Sequence, residues 1–450
     1  MKELLKQLRQ RAVDVKPDEL RALGLAFVFN FIVLGSYYVL RPIRDDIGAA
    51  GGLENLSWMY TGTMTVMLLA NGLFSALVTR LSRRRFIPIV YRFFIANLIL
   101  FYLLMKFAPS GAQVWVGRSF FVWVSVFNLF VVTVFWAFMT DVFNSDQGKR
   151  LFAFIGVGGT LGAIVGGSAT ALLVKQIGPL HLLFVSVILL EVAARFVPFF
   201  PTHFKETEAD IRSSVSDAEE SHGVSQKRPI NGNGAEKPIG GNIWSGVTHV
   251  MRSPYLLGIC VYLLLYGITS TLAYFQQADI AAHQFQDRAS RTAFFAQVDI
   301  SVNVLTILVQ IFLTSRLLKW VGVGVTLALL PAVNVVGFLA MGWMPLLSLL
   351  VVFQTLRRAS NFAVSRPARE VLFTVLRRED KYKAKSFIDT FVYRVGDQVG
   401  AWSYPLLTWL GLGLTGISFV AAPLAAGWCG LSLWLGRRQA ALARERTPDA

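Results

Sequence analysis

Twelve apolar runs, each long enough to cross a lipid bilayer as a helix, dominate the sequence. A helical span needs about 20 predominantly apolar residues. The runs lie near residues 20–40, 56–79, 86–106, 113–138, 151–174, 180–200, 254–275, 291–313, 320–343, 345–364, 386–410 and 413–435. Charged residues make up only 16% of the 450-residue chain, against about 25% in soluble proteins. The sequence therefore predicts an all-α polytopic membrane protein with 12 transmembrane helices.

The composition also excludes several chemistries. The two cysteines, Cys260 and Cys429, both lie within apolar runs and provide neither a disulfide framework nor a thiolate metal site. The five histidines fall in different segments, without the spacing of metal ligands: His181, His203, His222, His249 and His283. Because the sequence offers no metal cluster and no nucleophile beside a base, we expect no enzymatic activity and no cofactor.

The net charge of +16 is distributed unevenly along the chain. Basic residues are concentrated in the loops on the side that holds both termini, at Arg80, Arg83 to Arg85, Lys149, Arg150 and between Arg377 and Lys385. By the positive-inside rule, this bias predicts a protein of the inner (plasma) membrane with both termini in the cytoplasm. The positive charge then serves topology and contact with anionic membrane lipids, and we expect no binding of nucleic acid.

A polar stretch between the sixth and seventh runs divides the chain into halves. Residues 201–253 contain almost no side chains that could fill a core, so we expect a disordered cytoplasmic linker there. It would connect an N-terminal six-helix bundle, residues 1–200, to a C-terminal six-helix bundle, residues 254–450. This arrangement resembles the layout of the major facilitator superfamily, in which two parallel bundles are related by an axis along the membrane normal.

Three glycines spaced four apart, Gly158, Gly162 and Gly166, follow one face of the fifth run. A stripe of small residues allows two membrane helices to approach closely. The segment lacks the GK[ST] of a phosphate-binding loop, so we expect transport to draw on gradients or exchange. A shift of 234 residues aligns Gly162 and Gly166 with Gly396 and Gly400, which indicates equivalent helices in the two halves.

Two segments carry a more specific resemblance. YYVLRPIRDDIG, residues 37–48, closes the first run, and SRPAREVLFTVLRREDKYKAKSFID, residues 365–389, links the tenth and eleventh runs. Both resemble segments of the ATP/ADP translocase family of nucleotide transporters. The resemblance implies a secondary transporter that exchanges nucleotides, with basic residues contacting the phosphates. It places Arg41, Arg44 and Asp45 at the charged end of the first span.

Two adjacent arginines lie deep within the tenth run. Arg357 and Arg358 are some 12 residues from its start, about 18 Å into the membrane at 1.5 Å of rise per residue. Ionisable residues at this depth are costly and mark functional sites by default. Arginine suits phosphate or carboxylate because its planar fork donates two parallel hydrogen bonds. We expect at least one of the two to bind an anion, the alternative being salt bridges between helices.

The eighth and eleventh runs also carry polar residues at helical spacing. Asp299, Asn303, Thr306 and Gln310 form a stripe that we expect to line a cavity, with Asp299 as the candidate for proton or cation coupling. In the eleventh run, Arg394 and Asp397 are three residues apart and could pair within the helix. For Asp397, pairing and coupling both remain open. Asp389 lies near the cytoplasmic mouth, where a gate contact to the basic loop before it is plausible.

The remaining ionisable residues within the runs suggest simpler roles. Glu191 and Arg195 sit four apart in the favourable order for an ion pair. Arg118 could guide an anion inward or could extend its side chain to the interface. Four aromatic residues near the outer ends of the first and seventh runs could stack on a base or anchor the helices: Tyr37, Tyr38, Tyr274 and Phe275.

We expect a small anionic substrate, with ATP and ADP as candidates, to bind near the midplane between halves that rock about it. The candidate substrate-binding residues are Arg41, Arg44, Arg118, Arg357, Arg358 and Arg394. The candidate coupling or gating residues are Asp45, Asp299, Asn303, Asp389 and Asp397. The alternative is a proton-coupled carrier of a non-nucleotide organic solute, which would need a titrating acid such as Asp299. The sequence gives no indication of the oligomeric state.

Overall fold

The structure is a computed structural model that describes residues 16, 19–78, 83–143, 145–200, 253–376 and 388–446. Within these ranges the regular secondary structure is helical, and we label the helices that match the predicted spans α1 to α12. The N-terminal half contains α1 (Leu20–Ala50), α2 (Leu53–Val78), α3 (Arg83–Phe107), α4 (Ser110–Val142) and a stretch that holds α5 and α6 (Ser145–Phe196). The C-terminal half contains α7 (Pro254–Gln284), α8 (Arg288–Phe312), a short helix (Thr314–Trp320), α9 (Gly322–Trp343), α10 (Leu347–Ser360, Asn361–Ser365 and Arg366–Leu372), α11 (Ile388–Val392 and Tyr393–Trp409) and α12 (Leu414–Arg446).

Eight of the described helices are long and apolar enough to cross a membrane. The stretch Ser145–Phe196 counts once among them, although Gly178, with φ of 78° and ψ of 158°, interrupts it before Pro179. We therefore assign α5 to the part before Gly178 and α6 to the part after it. Each of the predicted apolar runs overlaps one of the helices α1 to α12, and the predicted all-α polytopic fold class is confirmed.

Two helices extend beyond their apolar runs. α1 continues from the predicted end at residue 40 to Ala50, and α10 continues from 364 through a π-helical turn, Asn361–Ser365, to Leu372. Hydropathy marks the end of apolar sequence, whereas the helix ends where its backbone hydrogen bonds end. The two extensions place charged residues on rigid helices inside the protein.

Close packing of α5 on α1 explains the glycine stripe. A Cβ atom added to Gly158, Gly162 or Gly166 would lie within 3.0 Å of a backbone oxygen of α1, so a larger residue would force the helices apart. Gly396 and Gly400 bring α11 equally close to the backbone of α7. The predicted packing role is confirmed, and the two halves use glycine at equivalent helix pairs.

The two halves are joined near one end of the bundle. We call the end at which α1 begins and α12 ends the terminal face, and the other end the opposite face. The hydrogen bonds and ion pairs between described residues of the two halves all involve residues 41–61 of the N-terminal half. This segment covers the last third of α1 and the first third of α2, near the opposite face. The linker predicted at 201–253 falls outside the described residues except for Ser253 and stays a prediction.

Candidate functional site

A cavity of about 390 Å³ lies between the two halves and takes lining residues from both. We call it the central cavity. Among the described residues that line it, six are arginines and two are carboxylates. The arginines are Arg41, Arg44, Arg357, Arg358, Arg366 and Arg394, and the carboxylates are Asp45 and Asp397. An excess of positive charge in a low-dielectric cleft raises the local concentration of anions, so the lining favours an anionic ligand.

Arg357 is buried on the wall of this cavity without an acidic partner among the described residues. Its Nε and Nη2 atoms donate to the Gln354 side-chain oxygen at 3.1 and 2.8 Å, and Nη1 donates to Ser270 Oγ at 2.8 Å. The residue is only 5% exposed. A guanidinium ion with neutral partners keeps its full charge, because arginine does not lose its proton in proteins. The site thus presents a fixed, uncompensated cation to the cavity.

Arg358 points to a different partner. Its Nη2 donates to Asp299 Oδ1 at 2.6 Å, and Asp299 Oδ2 lies 3.4 Å from Nε of Arg41 in the other half. The Asp299 side chain is 2% exposed. One buried carboxylate is therefore shared between two arginines that both line the cavity and that belong to different halves.

Arg44 is held by groups from α1 and α4. Its Nε donates to Asp45 Oδ1 at 3.1 Å, Nη1 donates to Ser125 Oγ at 3.2 Å, and its guanidinium lies 4.7 Å from the centre of the Phe121 ring. Asp45 Oδ1 also accepts a hydrogen bond from the Tyr274 hydroxyl at 2.9 Å across the interface between the halves. Arg44 is fixed toward the cavity, with part of its charge balanced by Asp45.

Arg394 and Asp397 form the pair that their spacing predicted. Arg394 Nη1 lies 3.5 Å from Asp397 Oδ2, and both side chains line the central cavity. The contact is at the long end of hydrogen-bond geometry, so each group retains capacity for a further partner. Asp397 is thus a carboxylate that both pairs with an arginine and faces the cavity.

Three predicted site residues lie elsewhere. Arg118 donates to the Asn55 side-chain oxygen at 2.6 Å and stacks 4.7 Å from the Trp115 ring, and it does not line the cavity. Asp389 lies in α11, but its side chain falls outside the described part of the structure. Asn303 is 6% exposed and donates to the backbone of Asp299, one turn earlier in α8.

The polar stripe of α8 does not line the cavity, contrary to the sequence prediction. Asp299, Asn303, Thr306 and Gln310 are absent from the described lining. The reason is the position of α8, which packs against α1, α5 and α10. Asp299, Asn303 and Thr306 are buried in this packing, whereas Gln310 is exposed outside the cavity. The pairing predicted for Glu191 and Arg195 is confirmed, because Arg195 Nε lies 2.8 Å from Glu191 Oε1. Arg92 of α3 lies 3.3 Å from the same oxygen.

Sequence reasoning missed several cavity residues. Arg366 lines the cavity from the extension of α10 beyond residue 364, and its guanidinium lies 4.7 Å from the Phe362 ring. Tyr60, Tyr266 and Tyr393 also face the cavity. The signal for Arg366 was the SRPARE segment, which continues the helix directly after the apolar run. For the tyrosines no signal distinguished cavity residues from interface anchors.

A second set of contacts closes the opposite face. Asp46, at the end of α1, accepts hydrogen bonds from Nε of Arg288 and Nε of Arg291, both at 2.9 Å, at the start of α8. The Asp46 side chain is 1% exposed. Nearby, the rings of Trp58 and Trp402 meet edge to face with centroids 4.9 Å apart. These contacts join the two halves at that face.

Comparisons with known proteins agree with this architecture. The family model of the Major Facilitator Superfamily matches residues 22–363. The chain is 20% identical to ADP,ATP carrier protein 1 of Chlamydia muridarum (strain MoPn / Nigg), over 88% of this chain and 83% of the carrier. The same identity and coverage hold for ADP,ATP carrier protein 1 of Chlamydia trachomatis serovar D.

Solved transporter structures share the fold at low sequence identity. A POT family transporter in complex with a thioalcohol-conjugated peptide gives a TM-score of 0.60 at 10% identity, covering 94% of this chain and 96% of that chain. The nucleoside transporter NupG gives a TM-score of 0.50 at 13% identity, covering 95% and 100%. Together with the family match over more than half of the chain, these findings identify a multi-pass membrane transporter and not an enzyme. The chain belongs to the Major Facilitator Superfamily.

Proposed function

We propose that the protein is a secondary active transporter that moves an anionic, phosphorylated or nucleotide-like solute across the plasma membrane by alternating access. Transport would proceed as exchange or be coupled to an ion. The observation that carries this proposal is Arg357, a buried cation on the cavity wall whose partners among the described residues are neutral. An uncompensated buried charge costs several kcal/mol, and an anionic substrate would remove that cost when it binds.

The other cavity arginines support the same class of substrate. Arg44 and Arg394 each contact one carboxylate, and Arg41 and Arg358 share Asp299. A phosphate group offers each guanidinium two oxygens in the geometry that its planar fork prefers. A substrate with several negative charges would therefore be held by arginines from both halves at once, which is what a site between two rocking halves requires.

The similarity to carriers named for ADP and ATP favours a nucleotide. The cavity offers rings on which a base could stack, because Tyr60, Tyr266, Tyr274 and Tyr393 line the same space as the arginines. The phosphates would then meet the arginines, and the base would meet the tyrosines.

The contacts at the opposite face suggest how access alternates. With the termini in the cytoplasm, as the distribution of lysine and arginine predicts, the opposite face is the external one. Binding of an anion by Arg41 and Arg358 would compete with Asp299 for these arginines and weaken the ion pair between the halves. Substrate binding would in this way weaken the contacts that hold the external face closed, so that this face could open while the terminal face closes.

Transport into proteoliposomes tests this function. Uptake of labelled ADP is measured with and without unlabelled ATP inside, for the wild type, for Arg357→Gln and for Arg195→Gln, a control whose side chain is 73% exposed. We expect uptake by the wild type that preloading stimulates. Loss of one charge-assisted contact should lower it about tenfold or more in Arg357→Gln, whereas the control should match the wild type. Folded wild-type protein that takes up no phosphorylated solute, preloaded or under a proton gradient, would refute the proposal.

Asp397 supports a second candidate, a proton-coupled carrier of a non-nucleotide organic solute. Its carboxylate lines the cavity with one arginine contact at 3.5 Å, so it has room to exchange a proton with the cavity. In that case Asp397→Asn would abolish uptake driven by a pH gradient and retain exchange between equal solute pools. Under the first proposal, ADP exchange would not depend on a pH gradient in either protein.

A further inference from the structure

A second cavity of about 380 Å³ adjoins the central one and lies closer to the terminal face. We call it the lower cavity. Its described lining residues come from α2, α4, α7, α10 and α11. Six of them also line the central cavity, and those that line the lower cavity alone, Leu68, Leu129, Leu263 and Arg369, lie toward the terminal face. Examples are Leu129 in α4, against Phe121 and Ser125 in the central cavity, and Leu263 in α7, against Tyr274. The two cavities form successive compartments along the path between the halves.

The lower cavity is also positively charged. Arg366, Arg369 and Arg394 line it, and no described lining residue is acidic. Arg366 makes a ring contact with Phe362 and has no acidic partner in the described part of the chain. The Nε atom of Arg369 is buried and has no hydrogen-bond acceptor among the described groups. A buried donor that lacks an acceptor is costly, so an anion that brought Arg369 an acceptor would stabilise this part of the cavity.

The charged residues are divided between the two cavities. Arg357 and Arg358 line only the central cavity, Arg369 lines only the lower cavity, and Arg366 and Arg394 line both. Arg357 and Arg369 are twelve residues apart on α10, roughly 16 to 18 Å along a helix with one π-helical turn. An anion hydrogen-bonded to Arg357 is thus separated from Arg369, and one bonded to Arg369 from Arg357, by Arg366 and Arg394, which line both cavities.

The uncharged part of the lining differs between the cavities as well. Leu68, Leu129 and Leu263 line the lower cavity alone and give it an apolar wall, to which Met64, shared with the central cavity, also contributes. Polar groups such as Asn128, Gln277 and Gln398 contribute to the central cavity alone. The lower cavity therefore combines cationic groups with an apolar surface, as an organic phosphate requires, but it offers fewer polar groups to fix orientation.

We propose that the lower cavity is a second, separate binding site for an organic phosphate, occupied before the substrate passes to Arg357. This inference rests on the proposed function, because it takes the same class of solute. Arg369 holds the phosphate at the lower site, Arg366 and Arg394 contact it in either cavity, and Arg357 receives it at the central site. The stepwise arrangement lets the substrate advance without leaving arginine contact.

Kinetics measured separately for each face test this inference. KM for ADP is determined for entry from the terminal face and from the opposite face, using oriented vesicles of wild type, Arg369→Gln and Arg357→Gln. Arg437→Gln, at an exposed position in α12, serves as the control. We expect Arg369→Gln to raise KM about tenfold from the terminal face and to leave KM from the opposite face unchanged. Arg357→Gln should impair both directions. An equal change from both faces in Arg369→Gln, or none from either, would overturn the second site.

Binding of labelled pyrophosphate to the purified protein, without anionic lipid, separates this inference from the transport proposal. We expect two sites in the wild type and loss of one in Arg369→Gln, with the other lost in Arg357→Gln. Pyrophosphate binding at both sites in a protein that transports no nucleotide would retain the second site and refute the proposed function. A single site that both substitutions weaken equally would refute the second site alone.

Discussion

Asp299 and Glu191 provide a pair for mutation, because each carboxylate contacts two arginines at similar distances while their burial differs. Asp299 lies 2.6 Å from Arg358 and 3.4 Å from Arg41, and its side chain is 2% exposed. Glu191 lies 2.8 and 3.3 Å from its two arginines, with 30% of its side chain exposed. Similar distances with different burial isolate the effect of the surroundings on the ion pair.

Replacement of Asp299 by Asn removes the negative charge between two largely buried guanidinium groups, of Arg358 and Arg41, and leaves Arg41 with Asp45, at 3.8 Å, as its acidic contact among the described residues. Loss of one partner of a buried ion pair costs about 3 to 5 kcal/mol, so we expect the free energy of unfolding to fall by that amount. Glu191→Gln breaks contacts at the protein surface, where an ion pair contributes about 1 kcal/mol or less. The arginines of Glu191 are 59% and 73% exposed, so neither depends on Glu191 as a buried counter-ion.

The assay is reversible unfolding in mixed micelles containing increasing amounts of SDS, with the wild type and both single variants side by side. The double variant Asp299→Asn with Arg358→Gln restores the charge balance and should recover part of the lost stability. Equal destabilisation by Asp299→Asn and Glu191→Gln, or a double variant less stable than Asp299→Asn alone, would refute the view that Asp299 acts as the shared counter-ion.

Three further predictions follow from the packing and the charge. Gly162→Val should abolish the yield of folded, monodisperse protein because a Cβ there meets the backbone of α1, whereas Gly156→Ala, with nothing within 4 Å of an added Cβ, should be tolerated. Asp46→Asn removes the negative charge that pairs with two arginines at the opposite face, so a Ser57→Cys reporter, buried in the interface between the halves, should react faster with an impermeant thiol reagent added at that face. Higher ionic strength should weaken ADP binding and leave adenosine binding unchanged, as titrations at two salt concentrations would show. Tolerance of Gly162→Val, unchanged Ser57→Cys labelling or salt-independent ADP binding would each contradict the corresponding point.

The features that could be predicted from the sequence are local ones. Apolar length gave the spans, and the spacing of Gly158, Gly162 and Gly166 gave the close pair of helices, because both depend on a single helix. The Arg394 and Asp397 pair was likewise set by spacing within one helix. Such features do not depend on which helices become neighbours.

The features that escaped prediction depend on contacts between distant segments. The stripe at Asp299 has the pattern of a cavity wall, but packing against neighbouring helices buries Asp299, Asn303 and Thr306 away from the cavity. Asp46 closes the opposite face only because the start of α8 brings two arginines to it. Arg366 and Arg369 lie beyond an apolar run, where hydropathy gives no reason to continue the helix.

Binding of adenosine, AMP, ADP and ATP to the purified protein tests most directly whether the arginine cavity recognises phosphate. Isothermal titration calorimetry would give the affinity of each ligand for the wild type and for Arg357→Gln. We expect the affinity of the wild type to rise with each added phosphate and this dependence to flatten in Arg357→Gln, because a charge-assisted contact is lost. Adenosine binding as tightly as ADP, or an Arg357→Gln series identical to that of the wild type, would contradict phosphate recognition by Arg357.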